Sequence, residues 1–201
     1  MSATGKPILY SKWFSSCSQR VRIALNLKGV DFEYRATNPM TDPDYEKINP
    51  VKFVPALVDG DLVVSDSFAI ILYMEDKYPQ HPLLSQDLKN KALNLQIASI
   101  VCSSIQPLQS HAVIGSFLGT MDADESLQMV QQYIDKGFRG DMQISNVLAL
   151  VMRKPLFMIS FYWYFLWQSK YPILARLQAA YNEHPAFQAA LPKNQPDAPP
   201  S

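Results

Sequence analysis

The chain has 201 residues, of which 48% are hydrophobic and 18% are charged, a composition typical of a folded globular protein. Lysine and arginine together number 18, and so do aspartate and glutamate, so the formal net charge is zero. Because proteins that bind nucleic acids or anionic membranes usually carry a basic excess or a basic stripe, this balance argues against both kinds of partner.

Cysteine usage and the two ends of the sequence bear on location. Cys17 and Cys102 lie far apart, which does not fit a disulfide framework and favours a reducing compartment. Neither end carries a targeting signal, so we expect a cytoplasmic protein. An apolar and aromatic run over 155–167 is shorter than the roughly 20 residues that a membrane-spanning helix needs, so no membrane association is expected.

Strand and helix patterns alternate in the first part of the chain. The predicted elements are, in chain order, a strand at 8–10, a helix over 16–28, a strand at 32–34, an irregular stretch with one helical turn, a hairpin at 55–64 and a helix ending near 77. The hairpin prediction rests on the turn Asp59–Gly60–Asp61. This order is typical of a thioredoxin-like domain, and the proline-rich stretch at 78–85 is the predicted linker.

Beyond the linker only helical periodicity continues, with apolar stripes at 92–105, 127–138 and 173–181. We therefore predict an α/β thioredoxin-like N-terminal domain over 1–84 and an all-α helical domain over 85–201. Four prolines lie in the last ten residues, so the tail from 192 to 201 is predicted to be mobile.

The first candidate site is the stretch Ser15–Ser16–Cys17–Ser18, between the first strand and the first helix. Unpaired backbone N–H groups and the positive end of the helix dipole meet there and favour an anion. A serine hydroxyl would stabilise a bound thiolate and lower its pKa, and Cys17 would be acidified in the same field. The stretch is equally that of a helix cap beside a small buried cysteine, so the local sequence leaves both interpretations open.

Two later features favour the ligand site. Val54–Pro55 opens the hairpin, where thioredoxin-like folds place a cis proline that leaves the backbone of the preceding residue free to pair with an extended peptide. Asp66–Ser67 begins the next helix and offers N–H groups, a hydroxyl and a carboxylate. These groups suit the amine and carboxylate of the γ-glutamyl end of glutathione, although capping alone would also account for them.

Several motifs carry a family resemblance over about 1–138 and 170–200. They are Ser15–Ser16–Cys17–Ser18, Arg20 to Leu25, Ile48–Asn49–Pro50, Val54 to Gly60, Asp66 to Ile71, Ile105 to Gln109, Lys136–Gly137–Phe138, Pro185–Ala186–Phe187 and Gln195 to Pro199. In these motifs the chain resembles the zeta class of glutathione transferases, the maleylacetoacetate isomerases, and most of all its plant members.

The resemblance implies a homodimeric enzyme of tyrosine and phenylalanine catabolism that uses glutathione as co-substrate. The implied reactions are cis–trans isomerisation of maleylacetoacetate to fumarylacetoacetate and dehalogenation of small α-halo acids, with no metal. In the isomerisation the thiolate adds to the cis double bond, the resulting single bond rotates, and the thiol leaves.

The resemblance also assigns roles to residues. Ser15 stabilises the thiolate, with Ser16 and Cys17 assisting. Glutathione is held by Ser15, Ser16, Cys17, Val54, Asp66, Ser67 and Gln106. Arg20 either neutralises the acidic or halogenated substrate or forms a simple surface pair.

The chain departs from the family pattern at four places. Phe14 stands where arginine is usual, Ser110 stands where asparagine is usual, and the loop at 38–44 is short and lacks a glutathione-contacting glutamine. The segment 139–169 does not match, and with it a capped helix and a substrate-binding arginine are missing. One alternative is therefore a catalytically impaired isoform that retains glutathione binding. Another is a thiol oxidoreductase that uses Cys17, although the chain lacks a CxxC partner.

Overall fold

The computed structural model describes residues 5–109, 128–129, 131–132, 135–136 and 179–200. Ser110 and the atypical segment 139–169 lie outside the described residues. The chain divides into two compact units, one formed by residues 1–83 with 158–201 and the other by residues 84–157. The sequence predicts a single boundary near residue 84, with the C-terminal segment in the helical domain. The structure instead groups the described C-terminal residues with the first unit.

The first unit is built on a four-stranded mixed sheet in the order β2-β1-β3-β4. Its strands are β1 (Ile8–Ser11), β2 (Glu33–Ala36), β3 (Ala56–Asp59) and β4 (Leu62–Ser65). β1 runs parallel to β2 and antiparallel to β3, and β3 and β4 form the predicted hairpin. Its tight turn contains Gly60 at φ +66°, a conformation that glycine adopts without steric penalty.

Three helices cover this sheet: α1 (Ser16–Leu27), α2 (Pro43–Ile48) and α3 (Ser67–Lys77). Each begins after a residue that suits a helix N-cap, namely Ser15, Asp42 and Asp66, whose side chains accept backbone N–H bonds. α1 and α3 pack together. The buried apolar residues of these two helices are Val21, Ile23, Ala24, Leu25, Ile70, Ile71 and Met74. The order βαβαββα is that of the predicted thioredoxin-like domain.

In the second unit the described residues are helical from Leu88 to Gln109. α4 (Leu88–Ile100) continues into a π-helical turn over Val101–Ile105 and a 3-10 turn over Gln106–Gln109. Pro107 has no N–H to donate, which is consistent with the change of helix type there. None of the helices in the described ranges combines the length and apolar character that crossing a membrane requires.

The C-terminal residues return to the first unit. Residues 179–182 are helical, and α5 (Pro185–Ala189) and a 3-10 turn (Pro192–Asn194) follow. The tail that the sequence predicts to be mobile is held by Gln195, which is 8% exposed. Its side-chain amide donates to Ala189 O at 2.9 Å and Leu191 O at 2.8 Å. The prolines therefore shape an ordered turn that a buried amide fixes.

A buried ion pair fixes the connection that follows α3. Lys28 Nζ lies 2.7 Å from Glu75 Oε2, and the two side chains are 0% and 10% exposed. The same ammonium donates to Tyr78 O at 3.0 Å and His81 O at 3.1 Å. Glu75 also accepts the Leu83 N–H at 2.9 Å. All three donors of the ammonium are thus directed to acceptors, and the linker is tied to two helices.

Replacing Lys28 by Met should lower the free energy of unfolding by about 3–5 kcal/mol, because Glu75 would be left as a buried, uncompensated charge. The double variant Lys28→Met/Glu75→Leu should be more stable than Lys28→Met alone. Urea unfolding followed by circular dichroism measures the unfolding free energies of both variants and of the native chain. Lys47→Met is the matched control, since the Lys47–Asp44 pair is 77% and 84% exposed, and its loss should cost less than about 1 kcal/mol. Equal losses for Lys28→Met and Lys47→Met would contradict the buried-pair argument.

Candidate active site

Three neighbouring strands end or begin at the same edge of the sheet. Tyr10 near the end of β1 pairs with Ala56, the first residue of β3. Ala56 in turn pairs with Ser65, the last residue of β4. Since neighbouring strands lie about 4.8 Å apart, the chain segments that join these strands start close together.

Each of these strand ends leads to a segment that the sequence predicts as part of a site. β1 continues into the loop that ends at Ser15, β3 follows directly after Val54–Pro55, and β4 is followed by Asp66–Ser67. The N-termini of α1 and α3 begin at two of these segments, so their backbone N–H groups and helix dipoles add positive potential there. The register thus groups the three predicted segments at one edge of the sheet.

Ser15 is the N-cap of α1, with φ −69° and ψ 118°. Its Oγ accepts the Ser18 N–H at 3.2 Å, and its own N–H donates to Lys12 O at 3.0 Å. Capping occupies a lone pair of the hydroxyl oxygen, so the hydroxyl proton is left to donate elsewhere. Ser16 and Cys17 form the first turn and are half-buried. Their N–H groups belong to the set at a helix start that has no intrahelical acceptor.

Val54 precedes a cis proline at the start of β3. The carbonyl of Phe53 is held by Tyr45 Oη at 2.6 Å and by Asn49 Nδ2 at 2.8 Å, which fixes the chain on the approach to Val54. Within the described ranges, no residue forms a backbone hydrogen bond with Val54. Its N–H and C=O are therefore available to an extended peptide.

Asp66 adopts an unusual backbone conformation for a residue with a side chain, with φ +81° and ψ 124°. Its Oδ1 accepts the N–H groups of Phe68 at 2.9 Å and Ala69 at 3.0 Å. Such a conformation costs on the order of 1–3 kcal/mol and is found most often at ligand sites. The helix cap predicted as the simpler interpretation is present, and a ligand role of this turn stays a prediction.

Arg20 is 3% exposed, so the predicted surface pairing is wrong. Its Nη1 donates to Ser67 Oγ at 2.7 Å, which joins the second turn of α1 to the start of α3. Because the guanidinium can only donate, Ser67 acts as an acceptor towards Arg20 and keeps its own proton for another acceptor. The apolar neighbours of Arg20 on α1 gave no sign that this side chain turns inward.

Gln106 lies in the second unit, where it opens the 3-10 turn and is half-buried. Its part in a glutathione site stays a prediction.

Sequence reasoning missed a buried arginine beneath the Ser15 loop. Arg22 is 1% exposed and donates to Ser11 Oγ at 3.0 Å, to Trp13 O at 3.1 Å and to Ala190 O at 3.1 Å. All of these acceptors are uncharged. Burial therefore lowers the pKa of Arg22 to about 10, and the nearby Asp197 carboxylate only partly offsets this effect. Arg22 remains a cation at neutral pH.

Sequence reasoning also missed Asp197, a carboxylate that binds the same loop as Arg22. Asp197 Oδ2 accepts the Trp13 N–H at 3.0 Å, and Asp197 Oδ1 accepts the Tyr34 hydroxyl at 2.6 Å. Burial, followed by this hydrogen bond, raises the pKa of Tyr34 to about 12. Tyr34 is thus a neutral donor at physiological pH. A separation of 184 residues between Trp13 and Asp197 leaves no local signal for this contact.

Comparison with known proteins agrees with this geometry. Residues 14–77 match the family model of the glutathione S-transferase N-terminal domain. The chain is 60% identical to a glutathione S-transferase of Triticum aestivum over 98% of each chain. It is 44% identical to a zeta-class glutathione S-transferase of Euphorbia esula, over 94% of this chain and 92% of that one.

Solved structures of similar fold include zeta-class and maleylacetoacetate isomerase enzymes. One is the holo structure of a maleyl pyruvate isomerase, a bacterial zeta-class glutathione S-transferase, with TM-score 0.82, 28% identity and coverage of 96% of this chain and 100% of that one. Another is a maleylacetoacetate isomerase from Anaeromyxobacter dehalogenans 2CP-1 with glutathione bound in its active site, with TM-score 0.78, 28% identity and coverage of 96% and 98%.

The thioredoxin-like fold, the family-model match over residues 14–77 and these relatives define the class of protein as a glutathione-dependent enzyme. Within that class the relatives are specific. The chain belongs to the zeta class of the glutathione S-transferase family. The resemblance found in the sequence and the predicted fold class are thereby confirmed.

The hydrogen bond between Tyr34 and Asp197 should make stability depend on alkaline pH. The pKa of Tyr34 rises from an ordinary value of 10 to about 12 in the folded chain. Its contribution should therefore be complete below pH 10 and disappear as the pH rises through 12. The native chain should be more stable than Tyr34→Phe at pH 7, and the gap should close between pH 10 and 12. Urea unfolding of both proteins from pH 7 to pH 12 tests this prediction. A difference in unfolding free energy that does not change with pH would refute it.

Proposed function

We propose that this enzyme catalyses the glutathione-dependent cis–trans isomerisation of maleylacetoacetate to fumarylacetoacetate. The observation that carries the proposal is the hydroxyl of Ser15, which caps α1 through its oxygen at the sheet edge shared with Val54 and Asp66. A hydroxyl with a proton to donate, at the positive end of a helix, favours a thiolate over a thiol. The activity named for the glutathione-bound relative supports the choice of reaction.

In this proposal the first turn of α1 holds the glutathione sulfur. Ser15 donates its hydroxyl proton to the thiolate, and the N–H groups of Ser16 and Cys17 add to the positive potential. These interactions stabilise the charged form and so lower the pKa of the thiol. The reactive thiolate would then be present at neutral pH without a general base.

The peptide part of glutathione would be held by the other two segments. The free N–H and C=O of Val54 would pair with its cysteinyl unit, as one strand pairs with another. Ser67, oriented by Arg20, would donate to the γ-glutamyl carboxylate, and the Asp66 carboxylate would accept from the γ-glutamyl amine.

The chemistry needs no atom beyond the two reactants. Attack of the thiolate forms a C–S bond at the cis double bond and moves an electron pair onto the conjugated carbonyl oxygen. Rotation about the resulting single bond is followed by cleavage of the C–S bond, which restores the double bond in the trans geometry. Ser15 would hold the sulfur at the start and at the end of this cycle, when its negative charge is greatest.

The same thiolate could displace halide from a small α-halo acid, with one C–S bond formed and one carbon–halogen bond broken. This dehalogenation is the second reaction that we propose. A homodimeric, cytoplasmic enzyme of tyrosine and phenylalanine catabolism completes the proposal, and it rests on the family alone.

A second candidate is a catalytically impaired isoform that binds glutathione. It is favoured by Phe14, which is 42% exposed in the loop before Ser15 where the family usually has arginine. An exposed phenyl ring cannot attract the carboxylates of an acidic substrate. Retention on immobilised glutathione without turnover of maleylacetoacetate or dichloroacetate would select this candidate.

Ser15→Ala should lower kcat/KM for maleylacetoacetate by about 10²–10³-fold, since one charge-stabilising donor is lost. Loss of the cap should also cost roughly 1 kcal/mol of stability. Ser15→Asp separates the two effects, because aspartate caps a helix but cannot donate to a thiolate. It should restore the unfolding free energy and leave turnover low.

Steady-state turnover and urea unfolding of these variants, with Cys17→Ala alongside, provide the measurement. Turnover that survives in Ser15→Asp would refute the role of the serine. Loss of turnover and of disulfide reduction in Cys17→Ala alone would favour the oxidoreductase alternative.

Arg20 and Ser67 should act on glutathione binding as a unit. Ser67→Ala and Arg20→Met should each raise the Kd for glutathione by about tenfold, the size of one hydrogen bond to a charged group. The double variant should bind no more weakly than Arg20→Met. Calorimetric titration of glutathione into the native chain, the two single variants and the double variant completes a double-mutant cycle, and thermal unfolding checks that each variant is folded. Additive losses would show that Arg20 does not work through Ser67.

A further inference from the structure

The C-terminal segment ends against the loop that leads to Ser15. We infer that Asp197 is a positioning residue for this loop, so that the last turn of the chain helps to place the thiolate-stabilising hydroxyl. The inference rests on the proposed function of Ser15 and concerns a part of the chain that this proposal does not use. In this inference Asp197 acts only through the Trp13 backbone that it contacts.

The backbone of Trp13 is held on both sides. Asp197 Oδ2 accepts its N–H at 3.0 Å, and Arg22 Nη2 donates to its C=O at 3.1 Å. Trp13 lies within the turn closed by the bond from the Ser15 N–H to Lys12 O, and the same Lys12 carbonyl accepts Arg22 Nη1 at 3.4 Å. The turn that presents Ser15 is therefore fixed by one anion and one cation, neither of which belongs to the turn.

Asp197 is itself firmly placed. Its second oxygen accepts the Tyr34 hydroxyl at 2.6 Å, so β2 orients the carboxylate. Two residues earlier, the buried amide of Gln195 is bonded to the carbonyls of residues 189 and 191. The Ala198 N–H returns to Gln195 O at 3.1 Å and closes the turn that carries Asp197. A rigid support of this kind is what a positioning residue requires.

The segment 190–197 is attached to the loop region at both ends. Ala190 O accepts Arg22 Nε at 3.3 Å and Nη2 at 3.1 Å, and Asp197 accepts Trp13. Arg22 thus binds the start of the segment and the loop with one guanidinium. Removal of the Asp197 carboxylate would leave the Trp13 N–H without its acceptor and free the turn on one side. A displacement of the Ser15 hydroxyl by about 1 Å is enough to reduce catalysis strongly.

The test uses the thiol of bound glutathione, whose ionisation is read from thiolate absorbance in the ultraviolet as the pH is varied. Asp197→Ala should raise the pKa of the bound thiol by about 1 and lower kcat for maleylacetoacetate about tenfold, as expected when the Ser15 donor is misplaced. At a pH below the pKa of the bound thiol, where glutathione binds in its protonated form, the Kd should change less than about threefold, because the proposed contacts with its peptide part lie on other elements.

Three further variants separate positioning from general stability. Asp197→Asn keeps an oxygen for the Trp13 N–H, so the pKa of the bound thiol and kcat should stay close to their native values. Asp197→Glu keeps the charge but displaces it, so both quantities should change as they do in Asp197→Ala. Asn194→Ala is the matched control in the same segment. It removes the bond from Asn194 Nδ2 to Gln188 O at 2.7 Å without touching the loop, and the pKa of the bound thiol should not change.

The outcomes are distinct. An unchanged thiol pKa in both Asp197→Ala and Asp197→Glu would overturn the inference while the proposed role of Ser15 stands. An equal rise in Asn194→Ala would overturn it as well, since stability of the segment would then account for the effect. If Asp197→Ala fails to fold, Asp197→Glu decides. A native chain that binds glutathione without lowering the pKa of its thiol would overturn the proposed function and this inference with it.

Discussion

The geometry of the site depends on the burial of one cation, Arg22. A guanidinium removed from water loses several kcal/mol of solvation unless its donors are satisfied. Here it is satisfied by a hydroxyl of β1, by carbonyls of the loop and by Ala190 of the C-terminal segment. Burial lowers its pKa to about 10, so at neutral pH it stays charged and its acceptors must remain in place. The loop before Ser15 owes its shape to this requirement.

Two further buried cations of the first helix and its C-cap also bind neighbouring segments of the chain. Arg20, Arg22 and Lys28 are all buried, with exposures of 3%, 1% and 1%. Arg20 reaches the start of α3, Arg22 reaches the loop and the C-terminal segment, and Lys28 reaches Glu75 and the linker. Arg20 and Arg22 thereby fix two segments at the sheet edge of the candidate site, and Lys28 fixes the linker at the other end of the helix. Apolar packing alone is less directional and would not specify these connections.

Sequence patterns predicted what depends on neighbours along the chain. The strands, the hairpin turn at Gly60 and the caps at Ser15 and Asp66 have local signals, and the structure contains them. The cis bond before Pro55 was expected from the thioredoxin-like order of elements, and it is present as well. The buried cations have none, because arginine and lysine are usually exposed and a helical pattern does not show when their polar groups find partners inside. The tail was missed for a related reason. Its prolines suggest mobility, whereas the contacts that order it are made by Gln195 and Asp197.

The two interpretations left open by the sequence, helix cap and ligand site, prove compatible because each polar group has more than one bonding position. Ser15 caps α1 with an oxygen lone pair, which leaves its proton for a thiolate. Ser67 accepts from Arg20 and retains its proton, and Asp66 caps α3 with Oδ1, which leaves Oδ2 for an amine. The structural bond orients each group, and in the proposed site the remaining position would meet the ligand already aligned. A site built this way gives up little binding energy to ordering its own side chains, which is the physical advantage of placing it on helix caps.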